Sequence, residues 1–177
     1  MYMQSPFTEY DKENNIEKAS VELVGFAKTS ELEAGESETV SIVVDKEEMK
    51  TYDAFGYGTF IVDAGDYYFA VGENAHDALN NILVAKGKST EDGMTYEGNA
   101  EYVFSYTVEN LDSTTYAVSQ ETGNEIVNQF DSADINYYDS SFEYLSRRDW
   151  TGTWPSTYAD GAMSASDDLL ADLIILR

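Results

Sequence analysis

No cysteine occurs in the chain, which excludes a disulfide framework, a thiolate metal site and a cysteine nucleophile. Histidine occurs once, at His76, leaving no second imidazole for a multi-histidine metal site. Positive charge is scarce. Ten Lys and Arg stand against 34 Asp and Glu, and the net charge of -24 argues against nucleic acid or an anionic membrane as partner, because both need clustered cations. No apolar run approaches the roughly 18 residues of a membrane span. The opening Met1-Tyr2-Met3-Gln4-Ser5-Pro6 has neither a basic nor an apolar signal region, so a cytoplasmic protein is expected. At 177 residues the chain is too short for an eight-stranded β/α barrel, which needs about 250.

What is present favours a folded β protein. Hydrophobic residues make up 42% of the chain, enough for a packed core. Such an excess of acid raises the question of disorder, but 14% aromatic residues, including 14 Tyr, argue against it. Tyr, Val, Thr, Ile and Phe suit pleated, half-buried surfaces, with the acidic residues outside.

Residues 19–28 partly alternate, with Val21 and Leu23 on one face, and residues 37–46 place Val40, Ile42 and Val44 on one face, the period of a strand. Glu33-Ala34-Gly35-Glu36 reads as the turn between them. Tyr57–Asp63 and Asp66–Gly72 read as two further strands joined by Ala64-Gly65, a tight hairpin signal. The period then changes. Asn74 is a good N-cap, Ala75, Ala78, Leu79, Ile82 and Leu83 follow helical spacing, and Gly87 is a stop, so a helix is expected over 74–86.

Residues 88–100 read as a surface loop and 101–109 as a strand, with short strands near 115–119 and 125–129. Ser166–Leu176 reads as a helix with Leu169, Leu170, Leu173 and Ile174 on its apolar face. The expected organisation is a β-sandwich over 1–73, a helix with additional strands packing on it over 74–145, and a linker arm with a terminal helix over 146–177.

A series of short motifs carries a resemblance. Val21-Glu22-Leu23-Val24-Gly25-Phe26-Ala27-Lys28 is followed by Leu32-Glu33-Ala34-Gly35-Glu36-Ser37-Glu38-Thr39-Val40, by Tyr52-Asp53, by Asp63-Ala64-Gly65-Asp66-Tyr67 and by Gly72. In this order they resemble the fibronectin type III-like domain of glycoside hydrolase family 3, the β-glucosidase family. The segments at 74–83 and 144–150 are similar to stretches of members whose barrel follows that domain. The resemblance implies a mainly β, antiparallel immunoglobulin or fibronectin type III-like sandwich with one inserted helix and an extended C-terminal arm. It implies a non-catalytic accessory region that braces the catalytic barrel and sandwich domains of the same enzyme. The family's module starts one or two strands earlier, so an exposed edge and a homodimer through it are expected. The alternative reading is a stand-alone carbohydrate-binding or adhesion sandwich.

Several groups of residues are weighed for chemistry. Trp150 and Trp154, with Arg147 and Arg148, are read as a docking surface for a neighbouring domain or as a contact for sugar rings. Arg148-Asp149-Trp150 resembles the family's nucleophile context only superficially, and no catalytic residue is assigned. Asp131, Asp134, Asn136 and Asp139 form an oxygen-rich stretch, a solvated acidic loop with calcium as the alternative, though it lacks the EF-hand spacing. His76 is expected to cap or contact a loop. Tyr67, Tyr68, Tyr102, Tyr106, Tyr137 and Tyr138 are expected in the sheet core or shielding its edge. Gly56-Tyr57-Gly58 is too short for a phosphate loop, and no cofactor is expected.

Overall fold

The computed structural model describes residues 1–141 and 144. Met1–Ser140 form one compact unit, in which every element below lies. Trp150, Trp154, Arg147, Arg148 and the expected helix at 166–176 fall outside the described residues.

The main sheet has four antiparallel strands in the order β2-β1-β5-β6. They are β1 (Tyr2–Gln4), β2 (Glu22–Leu23), β5 (Gly65–Ala70) and β6 (Val103–Val108). A second sheet pairs β3 (Thr51–Asp53) with β4 (Thr59–Ile61), Tyr52 opposite Phe60. The described residues also form three α-helices, α1 (Glu9–Glu13), α2 (Ala75–Ala85) and α3 (Ile135–Tyr138), besides short 3-10 turns. Strand β1 is no edge remnant. It lies between β2 and β5, pairing Met3 with both Glu22 and Phe69.

Alternation along β5 divides the core in two. Tyr67 and Phe69 face one side and, with Met3, Met49 and Val62, form one buried cluster. Ala70 faces the other side and meets Ala78 and Ile82 of α2, with Tyr2, Tyr68 and Val103 around them. Helix α2 and β6 therefore share the core of the first 73 residues. The helix begins as its sequence requires: the Asn74 side chain accepts a hydrogen bond from the Asp77 amide at 3.0 Å. It ends at Ala85, with Lys86 as its C-cap and Gly87 next in the chain. His76 stands exposed in its first turn, and Asn74 and Asp77 do the capping instead.

Several expected strands differ. β4 and β5 are not a hairpin, because they belong to different sheets and the chain crosses from one to the other through Asp63-Ala64-Gly65. Gly65 makes the crossing at φ +133°, and a Cβ there would lie 2.9 Å from the Pro6 ring. Within residues 37–46 the alternation survives only at 42–44, with Ile42 and Val44 half-buried and Val43 exposed; Val40, expected on the same face, is exposed, and the segment forms no ladder. Val44 packs on the first core cluster, so side-chain burial, not pairing, sets their period. Leu23, expected inward, is exposed, and its neighbours Val21 and Val24 pack on the two core clusters. Near 115–129 a single bridge joins Val118 to Glu125, with no strand on either side.

The 88–100 segment is more than a surface loop. Met94 is buried, and Gly98 lies so close to α2 that a Cβ would sit 2.2 Å from the Asn80 carbonyl oxygen. Asn81 fastens the approach. Its side chain accepts from the Asn99 amide at 2.7 Å and donates to the Val71 carbonyl at 3.0 Å.

The crossing at 63–67 is held by Tyr67, which is fully buried. Its hydroxyl accepts a hydrogen bond from the Asp63 amide at 3.0 Å and faces the carbonyls of Asp63 at 3.3 Å and Met49 at 3.4 Å. A tyrosine bonded to the backbone four residues upstream is the tyrosine corner of two-sheet β proteins. Tyr67→Phe is expected to lower unfolding stability by about 1–2 kcal/mol, because it strands a buried amide. An unchanged urea midpoint would show that the hydroxyl does not hold the corner.

Candidate functional site

The strongest concentration of chemistry lies beneath the tyrosine corner. Lys18 reaches inward from the segment after α1, and its side chain is only 6% exposed. Its ammonium donates to Asp63 Oδ2 at 2.6 Å, to Asp11 Oδ2 at 2.9 Å and to the Pro6 carbonyl at 2.8 Å. Asp11 and Asp63 are both fully buried. Each keeps one carboxylate oxygen, Oδ1, buried without a hydrogen-bond partner.

Local structure fixes all three groups. Asp11 is the third residue of α1 and closes its capping box: its carboxylate accepts from the Thr8 amide at 2.6 Å and the Thr8 hydroxyl at 3.0 Å. Asp63 is held by its amide on Tyr67. Burial pushes the Asp63 carboxyl above its ordinary range, against the pull of the Lys18 ammonium. Burial also pushes the Tyr67 phenol up.

Beside them lies a third buried carboxylate. Asp53, at the end of β3, accepts from the Tyr10 hydroxyl at 2.5 Å and from the amides of Gly56 and Tyr57, both at 2.7 Å. Burial alone would raise its pKa. The Tyr10 hydroxyl and the amides of Tyr57, Gly56 and Phe55 outweigh that and hold it below the usual carboxylate range. Asp53 thus ties α1 to the β3–β4 turn.

Several grooves mark the surface of the described residues, and two of them bear aromatic rings of β6. One, of about 310 Å³, is walled by Ile42, Val44, Met49, Phe69 and Phe104, the last two rings stacked at 4.9 Å. The other, of about 260 Å³, is lined by Tyr106, Tyr116, Lys46 and Asp112 among others. The Thr115 hydroxyl, with the Thr115 and Thr114 amides, holds the Asp112 carboxyl down at about 2. Asp112 is therefore an ionised turn-former at neutral pH and no general acid. Phe104 and Tyr106 of β6 are exposed, as is Tyr102 just before it, so Tyr67 is core while Tyr106 stands on an edge strand of the described sheet.

The acidic stretch is organised by its own turns. Asp134 caps α3 by accepting from the Asn136 amide at 2.7 Å, Asp131 accepts from the Asn128 side chain, and the Asp139 amide closes the helix on Ile135. Tyr137 and Tyr138 are exposed. Among the described residues no group of three or more His, Asp and Glu side chains is placed to hold a metal ion. No helix there is long and apolar enough to cross a membrane.

Asp11 and Asp63 share an amine, as paired catalytic carboxyls share a proton, and both are closed to solvent. Residues 2–75 match the family model of the fibronectin type III-like domain. The matched segment runs from β1 to the first residue of α2, so it contains the tyrosine corner, Lys18 and all three buried aspartates. No curated protein matches the chain, and no solved structure does.

The sequence reading reached Asp63, Tyr67 and Tyr52-Asp53 as motif residues but missed Tyr10, Asp11 and Lys18. The available signal was the Asp-x-x-x-Tyr spacing at 63–67, which marks the corner. Nothing local separates Lys18 from a solvated lysine.

Proposed function

We propose that this chain is a non-catalytic accessory region of a family 3 glycoside hydrolase, with the fibronectin type III-like segment as an immunoglobulin-like sandwich that braces the barrel and sandwich domains of that enzyme. The observation that supports it is the fate of the polar residues. Lys18, Asp11, Asp53 and Asp63 bond one another, α1 and the turns, and none is offered to a ligand. Such an interior makes a rigid spacer. The ordered motifs at 21–72 supply the family, and Trp150 and Trp154 are the proposed docking arm. The reading expects no turnover of an aryl β-glucoside by the purified chain, followed by release of the chromophore. Hydrolysis above the buffer rate that survives repurification overturns it.

One observation favours a second reading, a carbohydrate-binding module. The groove between Tyr106 and Tyr116 presents aromatic rings beside Lys46 and the ionised Asp112, the mix that sugar hydroxyls and C–H faces require. It expects saturable quenching of aromatic fluorescence by one member of a glycan panel. A flat titration across the panel removes it.

A further inference from the structure

We propose that Lys18 and Asp63 are joined by a spontaneous isopeptide bond, Nζ to Cγ, with Asp11 as the group that moves the proton. A lysine ammonium against two sealed carboxylates leaves one negative charge in excess inside the domain, each carboxylate with an orphaned oxygen. Buried ions are costly even when paired, and an amide in their place removes two of the three charges.

The geometry suits the condensation. The amine lies 2.6 Å from the Asp63 carboxyl on one side and 2.9 Å from the Asp11 carboxylate on the other. Both acids are anchored, Asp11 by the α1 capping box and Asp63 by the corner on Tyr67, so nucleophile and acceptor cannot drift apart. Confinement of this kind replaces a bimolecular encounter and accounts for large effective concentrations. Burial favours the protonated Asp63 carboxyl, the form an amine can attack.

The step balances without a co-reactant. Asp11 passes a proton from the Lys18 ammonium to an Asp63 oxygen, which leaves a neutral amine against a neutral carboxylic acid. Nζ attacks Asp63 Cγ and the N–C bond forms. Asp11 then takes a second proton from the attacking nitrogen and gives it to the same Asp63 oxygen, the C–O bond breaks, and water leaves. The sum is ammonium plus carboxylate giving amide plus one water, with no oxidant or reductant.

Intact mass spectrometry of the denatured full-length chain tests this directly. The expected mass is that of the sequence less one water. Trypsin, which does not cut after an acylated lysine, is expected to release a branched product joining residues 13–28 to residues 51–86. A mass equal to the full sequence overturns the proposal. So does a water loss found elsewhere, for instance as a succinimide at Asp92-Gly93, with normal cleavage after Lys18. Asp11→Asn is expected to retain the water and yield no branched peptide; a cross-linked variant overturns the role of Asp11. The wild-type mass decides the bond itself even if that variant does not fold.

Discussion

Relative to the chain in which Lys18 and Asp63 are not condensed, Lys18→Met is expected to remove about 3–5 kcal/mol of unfolding free energy, a large share of what a domain of this size has to spare. Methionine matches the length of lysine, so packing changes little. The loss is electrostatic: Asp11 and Asp63, both at 0% exposure, are left facing each other without the amine they share. The two ways of meeting that fate have different pH signatures. Burial already raises the Asp63 carboxyl while the Lys18 ammonium lowers it, so the variant's carboxyl rises further. A carboxyl whose folded pKa exceeds its unfolded value of about 3.9 favours folding in its protonated form. Its contribution is full below that unfolded value and is lost as pH rises through the folded one. The variant is therefore least stable at neutral pH and recovers on acidification toward about pH 4.5. Urea unfolding at the two pH values checks this. A deficit equal at both would show that lost packing, not stranded charge, is responsible.

Asp53→Ala is expected to cost about 3 kcal/mol, with the opposite pH dependence. The carboxylate accepts from one hydroxyl and three amides, and alanine leaves Tyr10 without its buried partner and the turn at 54–57 without its anchor. Because those bonds hold the folded pKa below the unfolded one, the contribution is present above about pH 4 and is lost as pH falls through the folded value. Wild type thus carries an acid-sensitive component that the variant lacks. Parallel stability curves for the two proteins between about pH 6 and pH 2 would remove Asp53 as its source. Asp53→Asn, which keeps an acceptor but no charge, is expected to fall between them.

These two aspartates illustrate how one residue type takes two roles. Asp53 sits among donors and is kept ionised. Asp63 sits in a drier place, where one shared amine does not offset burial. Sequence spacing carries no record of that difference, since both lie at the end of a β segment followed by a small residue.

The legible parts of the fold are those decided within a few residues. Helix α2 was predictable because its cap, its apolar spacing and its Gly87 stop are all local. So was the strand at 103–108, and so was the turn at 33–36, closed by the Glu36 amide on the Glu33 carbonyl at 3.0 Å. The motif series reached the fibronectin type III-like character of residues 2–75 because turn chemistry and corner tyrosine occur in order along the chain. What failed was pairing. Alternation shows which side chains share a face and is silent on which strand lies alongside, so β4 and β5 looked like a hairpin and 37–46 like a ladder strand. Pairing and ion placement depend on groups that meet across 45 residues, as Lys18 and Asp63 do. The sequence by itself settled composition, helix and turns, because those free energies are local. Only the tertiary structure decided that a lysine would be enclosed between two aspartates, because desolvation belongs to a place in the fold and not to a residue.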